Sequence, residues 1–138
     1  MRFMIIVKAN AKTESDNNKP DQAVLDAMAV YHEDLVRAGV LLDANGLQPS
    51  SKGWRIRYTA GCPHIVDGPF TETKELVAGY TMIQVRNREE AMEWTRRFPC
   101  PHGEFADGEI EVRQVYELED IVPDGSMERF RRLVADTH

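Results

Sequence analysis

The chain has 138 residues, 17 basic and 23 acidic, for a net charge of -6, and 42% of it is hydrophobic. That length fits one domain with enough core to fold without metal or disulfide staples, and the acidic balance argues against a default partner in nucleic acid or a membrane surface. No apolar run reaches the roughly 20 residues of a membrane span, residues 1–8 lack a leader-cleavage pattern, and two cysteines without an export signal point to free thiols in a reducing cytoplasm.

Arg2-Phe-Met-Ile-Ile-Val-Lys8 is β-branched and apolar on both faces, which predicts a buried strand. Residues 10–19 hold too few apolar side chains to pack and read as a mobile loop. Pro20-Asp21 then opens a helix whose Val24, Leu25, Met28, Tyr31 and Leu35 recur at helical spacing, with Gly39 as a left-handed stop. A short strand begins at Val40-Leu-Leu-Asp43 and breaks at Asn45-Gly46, a turn dipeptide. Trp54, Ile56 and Tyr58 alternate with Arg55, Arg57 and Thr59, the mark of a strand with one wet face. Gly61 and Pro63 interrupt it, His64-Ile-Val66 resumes, and Asp67-Gly-Pro-Phe70 turns the chain.

Residues 77–85 are apolar apart from Gln84 and read as a central strand. Asn87 with Glu90 three positions on forms an amide version of the capping box. The helix it starts carries Ala91, Trp94, Thr95 and Phe98 on one face and stops at Pro99. Ile110, Val112, Gln114, Tyr116 and Leu118 alternate with Glu109, Glu111, Arg113 and Glu117 in the last strand. Pro123-Asp-Gly125 makes a turn, and Ser126 caps a tail helix with Met127, Phe130, Leu133 and Val134 facing inward. The order β-α-β, hairpin, β-α-β and terminal helix predicts a ferredoxin-like α+β domain over residues 1–120, with residues 121–138 as its turn and tail helix. Such a sheet carries helices on one face only, and a homodimer packing sheet on sheet would cover the other.

Asp67-Gly68-Pro69-Phe70, Lys74-Glu75-Leu76, Gly79-Tyr80, Ala38-Gly-Val-Leu-Leu42, Gly46-Leu-Gln-Pro-Ser50 and Glu109-Ile-Glu-Val-Arg113 stand in this order. Together they resemble the YCII-related family in its DGPF-domain branch, across about residues 1–120. The resemblance implies a dimeric α+β barrel. It also implies a shared cleft faced by a helical His and an Asp of the Asp-Gly-Pro-Phe type, matched here by His32 and Asp67. Such a pair is chemically sensible, because a carboxylate fixes the imidazole tautomer and raises its basicity. Against that stand an ordinary helical His at the stripe's margin and an Asp that caps its own turn.

Lys74 beside Glu75 offers a point charge for an anionic or carboxylate-bearing substrate, and Trp54 and Tyr58 offer aromatic pocket walls. A solvated face and core packing are the plainer readings of those residues. Cys62-Pro63-His64 and Cys100-Pro101-His102 hold two Cys and two His, a tetrahedral zinc set by count but not by spacing, so no metal is expected. The chain has no Gly-x-Gly-x-x-Gly, phosphate loop, His-Glu-x-x-His or Gly-x-Ser-x-Gly, and no cofactor is expected.

Two functions fit. One is a cytoplasmic homodimer that binds a small organic molecule, with cofactor-independent isomerase- or lyase-like proton transfer through His32 and Asp67. The other is a non-catalytic ligand-sensing or protein-interaction module, for which the resemblance implies a link to sigma-factor regulation and the tail helix a docking surface.

Overall fold

The side chains of Phe3 and Ile5 point to one side of their strand and meet two helices there, and the architecture follows from that contact. The computed structural model describes residues 1–121 and 127–137. Strand β1 (Arg2–Lys8) lies at the interior of a four-stranded antiparallel sheet with β2 (Leu41–Gly46), β5 (Val77–Gln84) and β6 (Ile110–Gln114), in the order β2-β5-β1-β6. Strands β3 (Trp54–Thr59) and β4 (Cys62–Asp67) form a separate hairpin. The fold is α+β with a ferredoxin-like antiparallel sheet, as the element order predicts.

Helices α1 (Gln22–Arg37) and α2 (Arg88–Arg96) supply Tyr31, Leu35 and Ala91 to a core with Phe3, Ile5, Ile83 and Val85. Ile5, Leu35 and Ile83 are 0% exposed. Full burial of each such side chain is worth about 1.5–3 kcal/mol, so this contact is the fold's main hydrophobic term. The residues that alternate with the core set, Met4, Ile6, Tyr80 and Met82, lie on the other sheet face and are half-buried.

The local signals act as expected at both helices. Asp21 accepts from the Ala23 amide at 3.5 Å, and Gly39 leaves α1 at φ +72° while the Val40 amide returns to the Leu35 carbonyl at 3.0 Å. Asn87 Oδ1 accepts from the Glu90 amide at 2.9 Å, and the Glu90 carboxylate accepts from the Arg86 amide at 3.0 Å and Arg86 Nε at 3.1 Å. Those bonds, the backbone one first, hold the Glu90 carboxyl below its usual range.

Four expectations are corrected. Asn45-Gly46 does not turn: it pairs with Tyr80 and Gly79, and a Cβ added at Gly79 would come within 3.0 Å of the Asn45 carbonyl, so glycine serves close strand approach here. Gly61 does break the strand that starts at Trp54, in a tight turn with Ala60 (φ 81° and 52°), but Pro63 interrupts nothing, because β4 starts at Cys62 and pairs straight through it. The last strand ends at Gln114, because the Glu117 amide turns to Asp120 Oδ2 at 3.0 Å and starts α3 (Leu118–Ile121). In α4 (Met127–Thr137), Phe130, Leu133 and Val134 are about half exposed rather than inward, since the helix packs chiefly against α3, with Arg131 reaching Glu119 at 3.3 Å. The expected turn at 123–125, the Ser126 cap and the Met127 side chain lie outside the described residues. Among the described residues, no helix is long and apolar enough to cross a membrane.

Candidate functional site

Tyr31 anchors α1 by burial and by donating its hydroxyl to the Trp94 carbonyl at 2.7 Å, which leaves the next residue, His32, at the edge of the helix–sheet seam. Burial pushes the Tyr31 hydroxyl up to about 12, with Arg97 pulling the other way. The His32 ring is held at both nitrogens: Nδ1 lies 2.7 Å from the Met28 carbonyl and Nε2 2.8 Å from Thr81 Oγ1. A carbonyl only accepts, so Nδ1 carries the proton. In the neutral ring Nε2 is then the lone-pair nitrogen and the Thr81 hydroxyl donates to it. Thr81 is 3% exposed, and a hydroxyl so deep needs this partner, because burying it unpaired is costly.

His32 and Thr81 line a cleft of about 720 Å³ between α1, the end of β2, β5 and the segment after α2. Its walls are largely apolar, with Val24, Leu25, Met28, Leu47 and Phe98 among them. Phe98 meets the His32 ring edge-on at 6.4 Å between centroids. Part of the polar segment expected to be a mobile loop forms the outer wall and is tied down. Asn10 and Thr13 exchange backbone and side-chain bonds, the Glu14 carboxylate accepts from the Ser50 amide at 3.1 Å and from the Ser50 hydroxyl, and Ser51 donates to Asp16. On the opposite sheet face, the Tyr80 hydroxyl donates to Asp43 Oδ2 at 2.8 Å while Asn45 Nδ2 reaches Tyr80 Oη at 3.0 Å and Asp43 Oδ1 at 3.2 Å.

Of the candidate catalytic and substrate-binding residues, the cleft takes His32 alone. Asp67 is exposed at the end of β4, opposite Trp54, and does not line the cleft; Thr81 occupies the nitrogen that a dyad would use. The Asp-Gly-Pro-Phe block closes the hairpin base instead. The Gly68 amide donates to the Gly53 carbonyl at 3.0 Å, the Phe70 amide to Ser50 Oγ at 3.0 Å, and Arg55 stacks 3.7 Å over the Phe70 ring. The Phe70 bond also shows that the turn's amide is satisfied by Ser50 rather than by the Asp67 carboxylate. Trp54 and Tyr58 are exposed on the hairpin, and Lys74 and Glu75 are exposed in the short turn Thr73–Glu75; none of the four lines the cleft.

Cys62 and Cys100 are exposed free thiols, and no group of three or more metal-ligating side chains converges among the described residues. His102 does reach the cleft, with Nε2 3.1 Å from the Lys8 carbonyl. Sequence reasoning missed Thr81 and weighed His102 only as a zinc ligand. The available signal for Thr81 was a hydroxyl at an inward position of an otherwise apolar strand.

Comparison with known proteins gives a consistent result. Residues 1–119 match the YCII-related domain. A protein of Rhizobium meliloti (strain 1021), described only as uncharacterised, is 30% identical over 101 residues, covering 73% of this chain and 80% of that protein.

Proposed function

We propose, from the premise that the chain belongs to the YCII-related domain family, that it binds a small organic molecule in the cleft and that His32 transfers a proton there without a cofactor. One observation carries this reading: an imidazole whose Nδ1–H is fixed by the Met28 carbonyl and whose Nε2 meets a buried hydroxyl on the wall of an apolar cleft. That is the arrangement of a general acid–base residue, a ring oriented on one side and hydrogen-bonded on the other, with a carbonyl in the place a carboxylate often takes. A volume of about 720 Å³ falls within the range of sites that enclose one small ligand. The reaction class is isomerase- or lyase-like proton transfer.

The test is an NMR screen of small carbonyl and carboxyl compounds against the full chain. Binders are expected to shift the His32 and Thr81 resonances and to lose affinity in Met28→Arg, which fills the cleft. Binders that gather on the hairpin and leave His32 unmoved overturn the reading.

The DGPF branch and the dimeric barrel belong to the same proposal. The sheet face opposite α1 and α2 carries Met4, Ile6, Tyr80 and Met82 in its centre, a surface suited to a second copy in the cytoplasm. Sedimentation of wild type against Ile6→Glu tests it: the expected result is a dimer that the charge splits into monomers. The half-exposed Phe130, Leu133 and Val134 of α4 favour a second reading, a docking module for a protein partner in a sigma-factor setting. Removal of residues 124–138 is expected to abolish such an interaction while leaving ligand binding intact.

A further inference from the structure

The cleft contains a second histidine in a similar setting. His102 Nε2 lies 3.1 Å from the Lys8 carbonyl, at the point where the pairing of β1 with β5 slips register. That carbonyl can only accept, so Nε2 holds the ring's proton and Nδ1 is left with a lone pair. The ring is also seated sterically. A Cβ added at Gly108 would lie 3.0 Å from His102 Cδ2 and 3.2 Å from Pro101 Cγ, so glycine makes room for the imidazole against the loop. Two imidazoles on different elements, α1 and the segment after α2, thus line one apolar cleft, each oriented by a backbone carbonyl.

We propose that His102 is a second proton-transferring residue and that the pair acts on an enolisable carbonyl compound with an apolar body. This rests on the reading of the cleft given above and extends it to a substrate class. Moving a proton from carbon to oxygen needs a base at the C–H bond and an acid at the oxygen, and an apolar enclosure favours a neutral substrate.

In the reacting state His32 is the imidazolium, which reverses its bond to Thr81: Nε2–H donates to Oγ1, and the Thr81 hydroxyl hydrogen turns to the substrate carbonyl. His102 Nδ1 takes the proton from the carbon beside the carbonyl. The C–H electron pair becomes the C=C bond, the carbonyl π pair moves to oxygen, and that oxygen takes the Thr81 proton, which His32 replaces. The products are the enol, neutral His32 and the His102 imidazolium; exchange of one proton with water resets each ring.

The experiment follows deuterium uptake into phenylacetone in D2O by proton NMR, with the full chain. Wild type is expected to exchange the protons beside the carbonyl faster than the same concentration of imidazole. His102→Gln, whose amide can still donate to the Lys8 carbonyl, and His32→Gln are each expected to lose about 100-fold. Exchange in His102→Gln equal to wild type overturns the second-base role and leaves the His32 reading standing. Phenylacetone that shifts the His32 resonance without exchanging overturns the substrate class alone, whereas a failure to bind at all overturns the cleft reading itself for this class. Independently of turnover, the nitrogen shifts of labelled His102 are expected to show the Nε2–H form, and an Nδ1–H ring overturns the proposal.

Discussion

The β1–β5 pair and the β3–β4 hairpin are both antiparallel and both present a face of apolar side chains, yet they end in opposite surroundings. Ile5 and Ile83 are 0% exposed, whereas Trp54 is 65% and Ile65 72% exposed on the hairpin's apolar face. The difference is made by what lies above each pair. Two helices cover the first, and among the described residues nothing comparable covers the second; an isolated two-stranded hairpin is marginal in water. Alternation therefore identifies a face and its chemistry but not its cover. The hairpin holds its place through its base, where Ser50, Gly53, Gly68 and Phe70 are bonded, and not through its apolar side chains.

The largest expected effect sets the two regions against each other. Ile83→Ala removes a fully buried side chain and should cost about 2–5 kcal/mol in urea unfolding, while Ile65→Ala should stay within about 0.5 kcal/mol. A cost at Ile65 that approaches the cost at Ile83, and grows with protein concentration, would break the comparison. It would place the hairpin face in an interface between copies.

The next effect sharpens the view that the hairpin is held at its base. A Cβ at Gly68 would lie 1.8 Å from the Ser50 carbonyl, a backbone atom that cannot swing away. Gly68→Ala should therefore cost roughly 1–3 kcal/mol and, in hydrogen exchange, deprotect the hairpin amides while the β1–β5 ladder stays protected. Uniform loss of protection would show the two regions to be one cooperative unit.

Within the covered region, Tyr31 tests the polar part of the core. Tyr31→Phe removes the bond to the Trp94 carbonyl and should cost about 0.5–1.5 kcal/mol. The pH dependence has a definite sign. The folded state holds the hydroxyl at about 12, above its ordinary 10.0, and so favours the neutral form. Its contribution is complete below pH 10 and is lost as pH rises through 12. Urea midpoints of wild type should fall across that window by more than those of Tyr31→Phe. Parallel curves would mean that the hydroxyl ionises alike in both states.

What the sequence reveals follows the range of the interactions. Asp21, Gly39 and the Asn87–Glu90 box are legible because each acts within a few residues of itself. Asn45-Gly46 misleads because Gly79, on a distant strand, decides its conformation. The candidate site divides the same way. His32 is visible at the margin of the α1 stripe, but its partner is set by how α1 crosses β5, which no local pattern encodes, so Thr81 goes unseen and Asp67 is put in its place by resemblance. His102 becomes meaningful only once its loop returns to Lys8.

The smallest expected effect is at Glu90, an exposed, local contact that complements the buried Tyr31. Its carboxyl is held below the ordinary 4.5, first by the Arg86 amide and then by the Arg86 side chain. A carboxyl depressed in the folded state adds stability above its unfolded value and loses it as pH falls through the folded one. Wild type should therefore lose more stability below pH 4.5 than Glu90→Gln, which keeps an acceptor for the amide but has no charge to lose. Amide exchange in α2, read on both proteins as the pH is lowered, separates the outcomes. Convergence of the two in acid is expected, because protonation turns the wild-type side chain into a neutral acceptor like the amide. A constant gap would assign the difference to the shape of the cap and leave its charge without effect.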